Sequence, residues 1–151
     1  MDEPCIENNF LDEHAKLLIT SYNRLTGKKL INDTPLNFNI GEGLFNAELV
    51  VVSHGIEDDP IFNYGNKLAL KVFELSWPDF TILPSRRSAK PLAREERKAL
   101  LKRVSTSGFI DDYQGLRVSS TGRTFWIKGA TVWNVVDDIG IFRGQAAMFK
   151  L

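Results

Sequence analysis

GFIDDYQGLRVSSTGRTFWIKGATVWNVVDDIGIFRGQAAMF, residues 108–149, reads as three consecutive strands. Residues 109–119, 123–136 and 141–149 are rich in β-branched and aromatic side chains. Thr121-Gly122 and the Asp137–Gly140 segment punctuate them as hairpin turns do. Gly129, inside the middle strand, predicts a bulge.

Upstream of this β region the pattern changes. A helix is expected from about Lys90 to Ser107, with Pro91 tolerated in its first turn and Gly108 ending it. Asn66 can cap a helix whose Leu68, Ala69, Val72 and Phe73 share one face. Ser76-Trp77-Pro78 breaks that helix and starts another short helical piece. Before these lie two short strands, 49–54 and 61–64, joined by the turn Glu57-Asp58-Asp59-Pro60. At the N-terminus, Leu11, Ala15, Leu18, Tyr22 and Leu25 recur at steps of four and three. They predict a helix from about Asn9 to Thr26, capped by Asn8 or Asn9 and stopped by Gly27. Residues 30–43 carry Asn, Asp, Pro and Gly so often that they read as a loop or draped arm. The order is helix, two strands, three helical pieces, three strands. It predicts an α+β fold, one antiparallel sheet with helices on one face.

Composition narrows the function classes. The 151 residues suit one domain, and 43% apolar with 25% charged residues suits a globular one. Nineteen Lys+Arg balance nineteen Asp+Glu, which removes the usual electrostatic argument for a nucleic-acid or membrane partner. A single cysteine, Cys5, excludes a disulfide framework and a CxxC motif. No apolar run approaches the roughly 18 residues of a membrane span, and the acidic start MDEPCIENN is no secretory signal, so a cytoplasmic location is expected. With only His14, His54 and Cys5 available, no metal site is expected, and Asp58, Asp59, Asp111 and Asp112 read as solvated turn residues.

The element order is that of a PAS domain. SHGIEDDPIFNYGNKLAL (53–70), PSRRSA (84–89) and residues 108–147, together with SYNRLTGKKL (21–30), resemble the MEKHLA domain family, which is PAS-related. The resemblance covers residues 10–150 and is to the stand-alone form, because no homeodomain or heptad zipper is present. It implies a five-stranded PAS-like core over 46–151, preceded by an N-terminal helix and extended arm over 1–45. It also implies a sensory or interaction module that binds a small molecule, a protein partner, or both. Haem-binding PAS relatives use a histidine on the long helix, and residues 90–107 contain none. Photoreceptor relatives attach flavin through a helix cysteine, and Cys5 lies outside the core. Neither haem nor covalent flavin is expected, while a non-covalent small-molecule ligand fits.

Several residues are candidates for such a ligand site: His54, Tyr64, Asn66, Arg86, Arg117, Arg123, Trp126, Asn134 and Gln145. Arg, Asn and Gln among aromatics can fix a small anionic or planar ligand, or can be paired core residues. Trp133 and Asn134 are adjacent, so they point to opposite sheet faces unless a bulge intervenes. The stripe Leu11, Ala15, Leu18, Tyr22 and Leu25 either forms a homodimer interface or covers the sheet's outer face. A second reading is a small cavity enzyme with a His54/Asp59 acid–base pair, which requires both to share a closed pocket with Tyr64. A third is a ligand-free structural adaptor.

Overall fold

The computed structural model describes residues 1–32, 39–89 and 91–151, and all of their side chains except those of 91–94 and 97. Strands β1 (Val50–His54), β2 (Phe62–Gly65), β3 (Phe109–Val118), β4 (Thr124–Val136) and β5 (Phe142–Phe149) form one sheet in the order β2-β1-β5-β4-β3. Every neighbouring pair is antiparallel. The expected five-stranded sheet is present, each strand within a residue or two of its expected ends.

Local chemistry explains the turns. Between β3 and β4, Ser119 N–H donates to the Arg123 carbonyl at 2.8 Å and Gly122 N–H to that of Ser119 at 3.0 Å. Between β4 and β5, Asp137 Oδ1 accepts from the N–H groups of Ile139 and Ile141, an aspartate folding its own turn.

The sheet is covered on both faces because alternate strand residues are apolar in both directions. On β1, Val50 and Val52 enter one core with Phe62, Phe73, Phe80, Leu100, Val104 and Val132. Val51 enters a second core with Ala15, Leu18, Tyr22, Trp133 and Val135. Helices α3 (Lys67–Phe73) and α5 (Pro91–Ser107) supply the first core, which lies on the inner face. Helices α1 (Asp12–Thr26) and α2 (Ile40–Phe45) cover the outer face. The short α4 (Trp77–Phe80) divides its side chains, Phe80 to the first core and Trp77 to the second.

The N-terminal stripe therefore works within the chain. Ala15 and Leu18 are fully buried and Tyr22 packs edge-on against Trp133, with centroids 5.0 Å apart. Leu11 and Leu25 flank this core, partly buried. The helix starts later than expected: Asn9, Phe10 and Leu11 have φ of +56°, +53° and +50°, so residues 6–11 make a 3-10 turn before Asp12. Asn8 does not cap α1; its Oδ1 accepts from Cys5 N–H inside that turn. Of the arm at 30–43, residues 33–38 lie outside the described residues, as does Lys90, and residues 40–45 are the helix α2.

Residues 84–89 tie the two edges of the sheet together. Pro84 bridges to Ile61 beside β2, and Ala89 bridges to Arg117 on β3. Five strands spaced about 4.8 Å apart would set flat edges about 19 Å apart. The connecting piece contains the 3-10 turn Ser85–Ser88 and spans only roughly 12 Å. The sheet is therefore curled around the inner core, with this strap across its mouth.

Candidate functional site

A cavity of about 50 Å³ lies inside the curled sheet, under α3 and α5. Its wall is mostly apolar, from residues such as Val52, Phe62, Phe73, Val132 and Phe149. Three polar side chains stand in a row across the inner face, because His54 on β1 pairs in register with Gln145 on β5, and Gln145 with Asn134 on β4. Gln145, only 5% exposed, donates through Nε2 to Asn134 Oδ1 at 3.0 Å. Asn134 Nδ2 donates at 3.2 Å to the Val104 carbonyl on α5. His54 and Gln145 line the cavity directly. His54 Nδ1 lies 2.9 Å from the Gly55 carbonyl, an acceptor only, so Nδ1 carries the proton and Nε2 is the acceptor in the neutral ring.

Arg117 enters the cavity from β3, next to Ser88 of the strap. Its Nη1 donates to Ser88 Oγ at 3.2 Å, and Ser88 Oγ in turn donates to the Ser85 carbonyl at 2.7 Å. The guanidinium carbon sits 5.4 Å from the centroid of the Tyr113 ring, a cation–π arrangement. Gly115 makes this possible: a side chain there would meet the Tyr113 hydroxyl at 2.4 Å. Desolvation pulls the Arg117 pKa below its ordinary value, and the Tyr113 hydroxyl opposes that shift.

Of the nine candidate residues, the inner site unites His54, Arg117, Asn134 and Gln145, and five sit elsewhere. Asn66 is fully buried but structural: its Oδ1 accepts from Val51 N–H and Ala69 N–H, and its Nδ2 donates to the carbonyls of Leu44 and Leu49. Tyr64 is buried on the outer face, opposite Ser53 in register. Arg86 is exposed enough to pair with Asp59 at 3.0 Å outside the cavity. Arg123 is exposed and reaches the Val72 carbonyl at 3.4 Å, beside Glu74. Trp126 is 65% exposed.

The bulge at Gly129 explains Trp126. Strict alternation along β4 would put residues 126 and 134 on one face. Tyr113 pairs with Ala130 but Gly115 with Ile127, so β4 carries one extra residue there and its phase flips. Ile127 consequently faces the inner core, and Trp126 pairs with Leu116 on the other side. Trp133 and Asn134, beyond the bulge, do face opposite sides, as adjacent residues must.

The acid–base set of the enzyme reading is not assembled. His54 faces the cavity, Tyr64 the opposite side of the sheet, and Asp59 pairs with Arg86. Among the described residues no group of three or more His, Cys, Asp or Glu side chains converges as a metal site. Among the described residues no helix is long and apolar enough to cross a membrane.

A second polar cluster escaped the sequence reading. On the outer face Ser53 Oγ donates to Asn63 Oδ1 at 2.5 Å, and His14 Nε2 on α1 lies 3.1 Å from the same hydroxyl. The His14 ring stacks obliquely on Tyr64, with centroids 5.4 Å apart. Desolvation lowers the His14 pKa from 6.5 to about 4. Ser88 was missed as well, and only the PSRRSA motif around it marked the segment.

The fold is similar to that of several solved domains. A PAS domain of a protein from Colwellia psychrerythraea superposes with a TM-score of 0.62 at 13% identity, covering 71% of this chain and 88% of that one. A light-oxygen-voltage domain, studied with a flavin analogue, gives 0.60 at 14% identity, with 76% and 85% covered. A PAS domain from a two-component sensor histidine kinase gives 0.57 at 14% identity, with 71% and 87% covered. No curated protein sequence matches the chain. The family comparison is decisive: the MEKHLA domain matches residues 12–151, nearly the full length, and the chain belongs to the MEKHLA domain family, on a PAS-like fold.

Proposed function

We propose that this chain is a sensory module that binds a small molecule in the cavity between the inner sheet face and helices α3 and α5. The observation that carries the reading is the polar row His54–Gln145–Asn134, whose first two members stand in a mostly apolar cavity wall and whose third continues the row onto α5 through the Val104 carbonyl. Ligand sites combine apolar walls with a few placed polar groups in this way. A ligand on this row touches β1 and β5 directly and α5 through Asn134, which gives occupancy a route to the helix.

The fold supports a sensory role by analogy with the histidine-kinase PAS domain and the light-oxygen-voltage domain. The cavity differs in scale from a flavin site. At about 50 Å³, it holds only a few non-hydrogen atoms, since one water needs about 10–15 Å³ by this measure. Haem and covalent flavin do not fit the residues either: α5 spans no histidine, and Cys5 sits before α1, remote in sequence from the cavity-lining segments.

Native mass spectrometry of the full chain purified from its own host tests the proposal. The expected result is a small mass increment, lost on gentle activation and absent from a variant with Val132→Phe filling the cavity. A bare chain mass at every activation energy would overturn the reading.

A further inference from the structure

We infer that the cavity takes a short aliphatic monocarboxylate, its carboxylate facing Arg117 and its alkyl end lying among Phe62, Phe73 and Val132. This deepens the sensory reading above and rests on it.

Arg117 carries the argument. A guanidinium is always charged in proteins and offers five N–H donors in a fixed fork. Withdrawn charges are ordinarily paired with an opposite charge. Yet among the described residues no carboxylate pairs with Arg117; their ion pairs all involve other cations. Its neighbours are neutral: the Ser88 hydroxyl, which accepts from Nη1, and the Tyr113 ring. Neither cancels a positive charge. Asp112, on the same strand, is exposed and pairs with Arg103 instead.

The chemistry of the surroundings selects the class of anion. Ser88 spends its own proton on the Ser85 carbonyl, so it orients the guanidinium and leaves the anion to the remaining arginine donors. One cation suits one negative charge, which disfavours phosphate dianions. A planar carboxylate matches the guanidinium fork. The wall at Phe62, Phe73 and Val132 is apolar, which rewards an alkyl group over a fully hydrated inorganic anion. The cavity volume of about 50 Å³ corresponds to roughly four non-hydrogen atoms, the size of acetate or propionate. Across the sheet, the Gln145 amide is available to a polar substituent, since among the described residues only its Nε2 is used, on Asn134.

The test is calorimetric titration of the full-length protein with sodium propionate and, separately, with propionamide, its neutral isostere, at constant ionic strength in a carboxylate-free buffer. The expected result is saturable propionate binding at least about ten-fold tighter than that of propionamide, with a matching rise in melting temperature. Arg117→Met should lose propionate binding by about ten-fold or more, while melting at the same or a higher temperature, because it removes an uncompensated withdrawn charge. If that variant does not fold, the comparison of the two probes on the natural protein still decides. Equal binding of propionate and propionamide, or undiminished propionate binding by Arg117→Met, would overturn the carboxylate. A neutral molecule co-purifying with the chain, with no response to propionate, would overturn it and leave the sensory reading standing. A bare chain mass together with no response to either probe would overturn both.

Discussion

Gln145 and Asn134 face each other in register across β5 and β4, and the Gln145 amide donates to the Asn134 carbonyl oxygen at 3.0 Å. The two residues act as one unit. Replacing Gln145 by Leu leaves the Asn134 Oδ1 without its donor beside an apolar cavity, which should cost about 1–3 kcal/mol. Replacing both by Leu should cost less than the sum of the single changes. The Val104 carbonyl that Asn134 also serves keeps a second donor, the Gly108 N–H at 2.8 Å. Denaturant unfolding of the two single variants and the double variant measures this coupling. Strict additivity would show that the pair is not a unit.

Leu18 sits on α1 with no exposed surface, against the outer sheet face. Leu18→Ala should lower stability by about 2–4 kcal/mol through lost burial and a residual cavity. It should leave the sedimentation coefficient of the folded protein unchanged, because the stripe Ala15–Leu18–Tyr22 packs on Trp133 and Val135 of the same chain. A change of association state at unchanged stability would show that the stripe serves a second copy.

Strand identity was legible in the sequence because turn chemistry is local. Asp137 folds its own turn, Asn66 caps α3, and Gly108 ends α5. The inner site was legible only in part, since a side chain's face depends on counting by twos from a correct origin. The count holds from Val132 to Asn134 and fails across the Gly129 bulge, which sends Trp126 outward. Arg86 and Arg123 were misplaced for another reason. Their partners, Asp59 and the Val72 carbonyl, lie 27 and 51 residues away, and no local pattern announces such pairs. His14 was missed because its partner Ser53 is 39 residues distant and on a different element.

Two glycines with positive φ should respond differently to alanine. Gly144 has φ +141°, and an added Cβ would lie 2.0 Å from the His54 carbonyl oxygen on the neighbouring strand. Gly144→Ala should therefore cost more than about 3 kcal/mol or prevent folding, since backbone rather than a flexible side chain must move. Gly129 has φ +62° with nothing within 4 Å of an added Cβ. Gly129→Ala should cost only the left-handed strain of about 1–2 kcal/mol. Thermal melts of the two variants check the order, and equal losses would show that the close approach at Gly144 is unimportant.

His14 gives the protein a defined acid response. Ser53 commits its proton to Asn63, so its hydroxyl accepts from His14 Nε2–H, and the native ring is neutral. Its pKa falls from 6.5 to about 4 through desolvation between α1 and the sheet. The unfolded chain therefore binds a proton that the folded chain refuses between those values. Stability should fall as pH drops from 6.5 toward 4 and level off below, with no His14 contribution to the slope above 6.5. Its full size is on the order of 3 kcal/mol. The carboxylates whose pKa values are lowered in the fold, Glu7, Glu74 and Asp137, act below their unfolded values of 4.5, 4.5 and 3.8. The window from about 5 to 6.5 therefore separates the histidine from them. His14→Gln keeps an N–H donor for Ser53 and removes the titration. Unfolding free energies at pH 5 and pH 7 should differ less in this variant than in the natural protein. His54 is present in both, so the difference between the two slopes isolates His14. Identical slopes would mean that His14 stays accessible to protons in the folded chain.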